Sequence, residues 1–76
     1  MPTKEEVLKK FEELGYEIEF CTDNFIRIRE NQTFKTITIF DSKTYMCHHY
    51  NTMITLTITM QEHQLLTELF KVFGGS

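Results

Sequence analysis

Cysteine is scarce in this sequence, which has two such residues in a chain of 76. Two cysteines are too few for the disulfide framework that stabilises small secreted domains. The chain also begins without a basic stretch followed by an apolar one, so we expect a reducing, cytoplasmic compartment. Apolar runs extend over only a few residues, which argues against a membrane-spanning helix.

An excess of positive charge is missing as well. Lysine and arginine together number 8 against 11 aspartates and glutamates, giving a net charge of −3. A chain of this charge is poorly suited to broad contact with phosphate backbones. The sequence also contains no glycine-rich loop that would form an oxyanion hole and no carboxylate pair in an apolar setting. We therefore predict no enzymatic activity, no cofactor and no small-molecule substrate.

Two capping boxes predict two helices. Thr3 is followed three residues later by Glu6, and Thr59 by Glu62 in the same way, so that each pair satisfies free backbone donors of a first helical turn. Each box precedes an apolar stripe at helical spacing, and Gly15 ends the first helix. The stripes comprise Val7, Leu8, Phe11 and Leu14 in the first helix, and Leu65, Leu66, Leu69, Phe70 and Phe73 in the second.

Between the helices the apolar pattern changes to strict alternation, which is typical of half-buried strands. Three segments show it, namely residues 16–21, 25–30 and 34–40, and the turn residues at 41–44 predict a fourth strand over residues 45–50. A further segment, 53–58, is either a separate short strand or a continuation of the fourth through a bend. The predicted sheet therefore has four strands, with three or five as the alternatives. The element order predicts an α+β fold, with an antiparallel sheet in meander order and both helices packed on one face. We expect a single domain over residues 1–76, in which Gly74 ends the second helix and residues 74–76 form a flexible tail or a remnant of an expression tag.

The first hairpin has a predicted register. A three-residue loop, Thr22-Asp23-Asn24, with Asn24 in the left-handed conformation is a common connection between strands. It matches the polarity of every facing pair, whereas a slip by one residue would set Ile18 against Arg29. The predicted pairs are Ile18 with Ile28, Phe20 with Ile26, Glu17 with Arg29 and Glu19 with Arg27.

The sheet face that the helices leave open is the predicted binding surface. By strand parity it carries Glu17, Glu19, Phe25, Arg27, Arg29, Phe34, Thr36, Thr38, Phe40, Thr55 and Thr57. One interpretation is a solvated face, since antiparallel sheets often present one. The other is a binding face, because phenylalanines beside arginines are typical of protein interfaces. We predict self-association or binding of another protein, through this face or an edge strand, with Arg27, Arg29, Phe34 and Phe40 as the contacts.

Single-stranded nucleic acid is an alternative ligand for the same face, because bases stack on aromatic rings and arginines follow the phosphates. Glu17 and Glu19 would neutralise the two arginines, however. The element order also resembles the double-stranded RNA-binding domain, but that family needs a basic start to its last helix and residues 60–63 here read Met-Gln-Glu-His. Nucleic acid is therefore the less favoured ligand.

The segment YMCHHY, residues 45–50, combines a thiol with two imidazoles. If Ser42-Lys43 is the tip of the preceding turn, Phe40 faces Tyr45, so that Cys47 and His49 lie on the open face and His48 points inward. Alternation lets at most two of the three reach one ion. Ordinary strand residues are the favoured interpretation, and a metal site formed by Cys47 and His49 at a dimer interface is the alternative.

The closing part of the chain, ITMQEHQLLTELFKVFG, resembles small uncharacterised proteins encoded by phages and prophages of Gram-positive bacteria, most strongly over residues 54–74. The resemblance implies an intracellular accessory protein without chemistry of its own that binds a host or phage protein. It assigns no functional residues.

Overall fold

The computed structural model describes residues 3–52 and 54–73. Its elements in order are α1 (Lys4–Glu13), β1 (Tyr16–Cys21), β2 (Ile26–Glu30), β3 (Lys35–Ile39), β4 (Tyr45–His49) and α2 (Met60–Lys71). The strands form one antiparallel sheet in the order β1-β2-β3-β4, which confirms the predicted α+β fold and its meander. The predicted helix end at Gly74 and the tail after it lie outside the described residues.

Both helices begin with the predicted capping box. The Thr3 hydroxyl accepts a hydrogen bond from the backbone N–H of Glu6 at 3.2 Å, and the Glu6 carboxylate accepts one from the backbone N–H of Thr3 at 3.1 Å. Thr59 and Glu62 repeat the arrangement at the start of α2. After α1, Gly15 has φ 98°, a left-handed conformation that favours glycine and lets the chain turn directly into β1.

The core lies between the helices and one face of the sheet, which we call the inner face. Its members are mainly the branched aliphatic residues of the strands and the apolar stripes of the helices. They are Val7, Leu8, Phe11, Tyr16, Ile26, Ile28, Ile37, Ile39, Cys47, Leu65, Leu66, Leu69 and Val72. Each predicted stripe therefore contributes to one continuous core, and Leu14, Phe70 and Phe73 lie at its margin.

The first hairpin follows the predicted register only in its lower half. Ile18 faces Ile28 and Glu17 faces Arg29, as expected. Nearer the turn, Phe20 faces Arg27 and not Ile26, because Thr22 and Phe25 close a two-residue turn, with the Thr22 N–H donating to the Phe25 carbonyl at 2.8 Å. The predicted three-residue loop is therefore wrong.

A β-bulge reconciles this turn with the apolar pattern. The pairing shifts by one residue between Ile18 and Phe20, so Glu19 is the extra residue of β1. Without the bulge, the register set by the turn would continue along the whole hairpin and would pair Ile18 with Arg29. Among the described non-glycine residues only Phe34 and Asn51 have positive φ, so the left-handed conformation predicted for Asn24 is wrong too.

The turn between β3 and β4 is one residue longer than predicted. The Asp41 carboxylate accepts hydrogen bonds from the backbone N–H groups of Lys43 and Thr44, both at 2.8 Å, and Phe40 N–H donates to the Thr44 carbonyl at 2.9 Å. The tip is thus residues 41–43, and Tyr45 faces Ile39 rather than Phe40. As a result the predicted faces of β4 are exchanged.

Residues 54–58 turn back along β4 instead of continuing it. Thr55 forms a single antiparallel bridge with His48. The His49 N–H donates to the Ile54 carbonyl at 3.1 Å, and the Leu56 N–H donates to the Cys47 carbonyl at 3.0 Å. This closing segment, as we call residues 54–58, therefore lies along the edge of β4 without forming a full fifth strand.

Candidate functional site

The centre of the outer sheet face is covered by long side chains. The Tyr50 ring, which follows β4, lies against the guanidinium groups of two β2 arginines, with its centroid 4.8 Å from the guanidinium carbon of Arg29 and 5.8 Å from that of Arg27. Strand β3 lies between β2 and β4, and its outward-facing Thr36 and Thr38 are buried. The interpretation of this face as solvated therefore does not hold at its centre.

Two glutamates of β1 contact the same arginines. Glu19 Oε1 lies 3.4 Å from Arg27 Nε, and Glu19 Oε2 lies 3.6 Å from Arg29 Nη1. Glu17 Oε2 lies 3.4 Å from Arg29 Nη2. The bulge brings Glu19 to both guanidinium groups, and its side chain is only 22% exposed. We call Glu17, Glu19, Arg27, Arg29 and Tyr50 the charged centre. Because each arginine has an acidic neighbour, the positive charge that a nucleic acid would need is largely offset here.

Three phenylalanines form an exposed cluster at one end of this face. The Phe25 ring contacts both others edge-to-face, with centroids 6.2 Å from Phe20 and 6.0 Å from Phe40. Phe20 is 59% exposed and Phe40 44%. In a meander the β1–β2 and β3–β4 loops lie at the same end of the sheet, which is why residues beside those two loops meet. We call these three residues the phenylalanine cluster.

The remaining predicted contact residue, Phe34, lies apart from the cluster. Its ring packs edge-on to His49 with centroids 6.3 Å apart, and it is 47% exposed. Its φ of 58° is left-handed, a conformation that costs a bulky residue energy, and the regular alternation of β3 begins only after it, at Lys35. The predicted set of Arg27, Arg29, Phe34 and Phe40 is therefore divided among the charged centre, the cluster and this separate position.

A buried polar network joins α2 to the inner face of the sheet. The Glu62 carboxylate accepts hydrogen bonds from the Tyr16 hydroxyl at 2.6 Å, from Lys35 Nζ at 2.6 Å and from the backbone N–H of Thr59 at 2.8 Å. Burial by itself would raise the pKa of Glu62, but the bonds from Lys35 and Tyr16 outweigh it and hold that pKa below its ordinary value. Burial and the bond to Glu62 raise the pKa of Tyr16 strongly. We call Tyr16, Lys35, Glu62 and Thr59 the Glu62 network.

The network has the residue types of an acid–base site, but its groups are committed to one another. Both Glu62 oxygens accept bonds, and the Lys35 side chain is 14% exposed. Over residues 3–52 and 54–73 the structure contains no pocket beside it. Its evident effect is to fix the start of α2 on the sheet.

Cys47 and His49 share a face, as predicted, but it is the inner one. Cys47 faces Ile37 within the core, and burial raises the pKa of its thiol. His48 instead points to the outer face opposite Thr36, and its Nδ1 lies 2.9 Å from the His49 carbonyl. In the part of the chain that the structure describes, no three residues among His, Cys, Asp and Glu converge as metal ligands.

Sequence reasoning missed Phe20, Tyr50, Lys35 and Glu62 as members of these sites. Phe20 depends on the bulge, which has no clear signal in the sequence. Lys35 did have one, because it shares the inward parity of Ile37 and Ile39 and a lysine at such a position needs an acidic neighbour.

No protein-family model, no curated protein and no solved structure matches the chain. The resemblance to phage-encoded proteins is therefore still a prediction. Among the described residues, neither helix is long and apolar enough to span a membrane.

Proposed function

We propose that this chain is a small cytoplasmic protein-interaction module without catalytic activity, an accessory protein of phage or prophage type, and that it binds another protein through the phenylalanine cluster. The observation that carries the proposal is the exposure of Phe20 and Phe40 beside Phe25 at one end of the outer face. Contiguous exposed aromatic surface of this kind is typical of protein interfaces.

The cluster has the composition of an interface centre with a polar rim. The adjoining loops supply the rim through exposed side chains at residues 22–24 and 41–44. The edge-to-face contacts restrict the rings relative to one another, which reduces the side-chain entropy lost on binding. Arg27 faces Phe20 across the hairpin and therefore borders the cluster, where its pair with Glu19 adds to the polar rim.

The cluster can be tested because the chain offers a matched control. Phe34 is 47% exposed, close to the 44% of Phe40, but lies outside the cluster. We expect Phe20→Ser and Phe40→Ser each to weaken binding by about tenfold or more, as truncation of an interface anchor does. Phe34→Ser should bind as the wild type does.

The measurement is affinity capture from the native host with all four proteins, followed by titration of whatever protein is captured. The proposal is supported if a protein retained by the wild type and by Phe34→Ser is lost with both cluster variants while circular dichroism shows that they remain folded. An identical set of captured proteins for all four, or no specific capture at all, would refute it.

A further inference from the structure

The two edges of the sheet differ in their protection. β1 carries the bulge at Glu19 and the charge of Glu17, two features that discourage pairing with a further strand. The edge beyond β4 is formed by the closing segment, which contains no charged residue, no proline and no glycine. Uncharged segments of high β-propensity at an exposed edge are the ones that recruit another strand.

The backbone of the closing segment has free groups on its outer side. Leu56 uses its N–H and Ile54 its carbonyl to bond β4. Because backbone groups alternate in direction along an extended chain, those of Thr55 and Thr57 point away from β4. Among the described residues neither of these two threonines donates a backbone hydrogen bond, and no turn or bend interrupts residues 54–58.

The segment also reads the same in both directions, as Ile-Thr-Leu-Thr-Ile. We propose that it pairs antiparallel with the closing segment of a second copy of this chain, about a two-fold axis at Leu56. Ile54 then faces Ile58 of the partner subunit, Leu56 faces Leu56 of the partner subunit, and Thr55 faces Thr57 of the partner subunit. Every facing pair matches in polarity, whereas a slip by one residue would set threonine against an aliphatic residue.

The hydrogen bonding agrees with this axis. A two-fold axis at Leu56 makes its pair with the partner's Leu56 a non-hydrogen-bonded one, and it makes the two Thr55–Thr57 pairs the ones that exchange backbone bonds. Those are the residues whose N–H and carbonyl groups point outward.

The side chains agree as well. Leu56 and Ile58 pack against the core margin on the inner face, while Ile54 is 64% exposed. Pairing covers Ile54 with the partner's Ile58 and joins the two aliphatic margins. The contact is isologous, so it closes at a dimer, and the protected β1 edges end the combined sheet. This interface does not involve the phenylalanine cluster, so the two proposals can be tested independently of each other.

The oligomeric state and one backbone substitution test the pairing. Sedimentation equilibrium over a range of concentrations should show a reversible dimer. Thr57→Pro removes a backbone N–H that makes no hydrogen bond within the described chain. In the proposed dimer the Thr57 N–H of each copy donates one bond, so we expect the dimer dissociation constant to rise by at least about tenfold. Thr57→Ala keeps the N–H and is expected to dimerise as the wild type does.

Cysteine cross-linking tests the register. In a Cys21→Ser background, Leu56→Cys places two thiols in directly facing positions, where a disulfide can form under mild oxidation. Ile54→Cys is the matched control, because its thiols would lie four residues apart along the strand, about 14 Å.

Rapid cross-linking of Leu56→Cys without cross-linking of Ile54→Cys supports the proposal. A strict monomer at all concentrations would overturn it. So would a folded Thr57→Pro protein that dimerises like the wild type, equal cross-linking at both positions, or a dimer that depends on Phe20 and Phe40 instead.

Discussion

Removing the charge of Glu62 should destabilise the protein far more than removing another glutamate charge on the same helix. Glu62 accepts bonds from the Tyr16 hydroxyl, from Lys35 Nζ and from Thr59 N–H, at 2.6, 2.6 and 2.8 Å. Its side chain is 9% exposed and that of Lys35 is 14% exposed, so solvent screens the pair only weakly. Glu62→Gln keeps the side-chain size but leaves the lysine ammonium without a counter-charge in the protein interior.

The size of the effect follows from that geometry. Removing one member of a buried ion pair costs about 3–5 kcal/mol, and the glutamine can still accept one or two hydrogen bonds, so we expect a loss of about 2–3 kcal/mol. For a domain of this size each kcal/mol lowers Tm by about 4–8 °C. Glu68→Gln is the control, because its 3.4 Å pair with Lys10 is exposed, with side chains 39% and 48% accessible, and such pairs contribute less than about 1 kcal/mol.

The pH dependence gives an independent check. The pKa of Glu62 is held below its ordinary value of 4.5, so its contribution to stability is present above that pH and is lost as the pH falls through the folded-state pKa. Urea unfolding of the wild type and Glu62→Gln should therefore give free energies of unfolding that differ at pH 7 and converge as the solution is acidified below pH 4.5. Glu6, Glu30 and Asp41, whose pKa values are also lowered, are common to both proteins and cancel in the difference.

A double-mutant cycle with Lys35→Met isolates the pair itself. If the reasoning holds, Lys35→Met and Glu62→Gln together should cost clearly less than the sum of the single changes, because no unpaired charge remains buried. The reasoning is refuted if Glu62→Gln is as stable as Glu68→Gln at pH 7, or if the difference between wild type and Glu62→Gln does not change on acidification.

Two further predictions concern a thiol and a strained backbone. Cys21 is exposed and Cys47 buried with a raised pKa, so a thiol-specific reagent should label one cysteine rapidly in the native protein and the second only on unfolding, as followed by mass spectrometry; rapid labelling of both would contradict the burial. Phe34 has φ 58°, so Phe34→Gly should be more stable than Phe34→Ala by about 1 kcal/mol, since both lose the ring but only glycine relieves the left-handed conformation. Equal thermal stability of the two variants would show that the position is unstrained.

The helices and the strand segments were predictable because their signals are local. Thr3 with Glu6 and Thr59 with Glu62 mark helix starts whatever the rest of the chain does, and both capping boxes form as expected. Alternation likewise identifies a strand without reference to its neighbours. The element order then leaves few arrangements other than a meander.

The facing of particular residues was less predictable, because it depends on turn lengths. Asp41 did carry a signal, because an aspartate at the start of a turn can accept hydrogen bonds from the backbone N–H groups two and three residues later. Here those groups belong to Lys43 and Thr44, and the bonds set a three-residue tip. The one-residue increase in the length of this turn places Cys47, and not His48, in the core. The inward lysine at position 35 was a comparable signal, but its acidic neighbour lies on α2 and cannot be identified before the helix is placed.

The bulge at Glu19 links the apolar pattern of the first hairpin to its surface. A two-residue turn alone would leave Ile18 facing Arg29, and the extra residue restores the pairing with Ile28. The same bulge turns Phe20 to the outer face and places Glu19 Oε1 3.4 Å from Arg27 Nε. The feature that keeps the core intact therefore also creates the most exposed ring of the phenylalanine cluster.

The two proposed surfaces have a joint consequence. Phe20 belongs to β1 and the closing segment lies beyond β4, so the two are separated by about four strand spacings, or roughly 19 Å. A dimer formed through the closing segments would leave both phenylalanine clusters accessible and would hold them apart at a fixed distance. Such a dimer would bind an immobilised or oligomeric protein through two sites at once, which would raise its apparent affinity without any new contact. Thr57→Pro should then weaken retention on a surface densely coated with the bound protein and leave the affinity for that protein free in solution unchanged. Equal loss in both formats would mean that the closing segment contributes to the binding contact directly and not by pairing two copies.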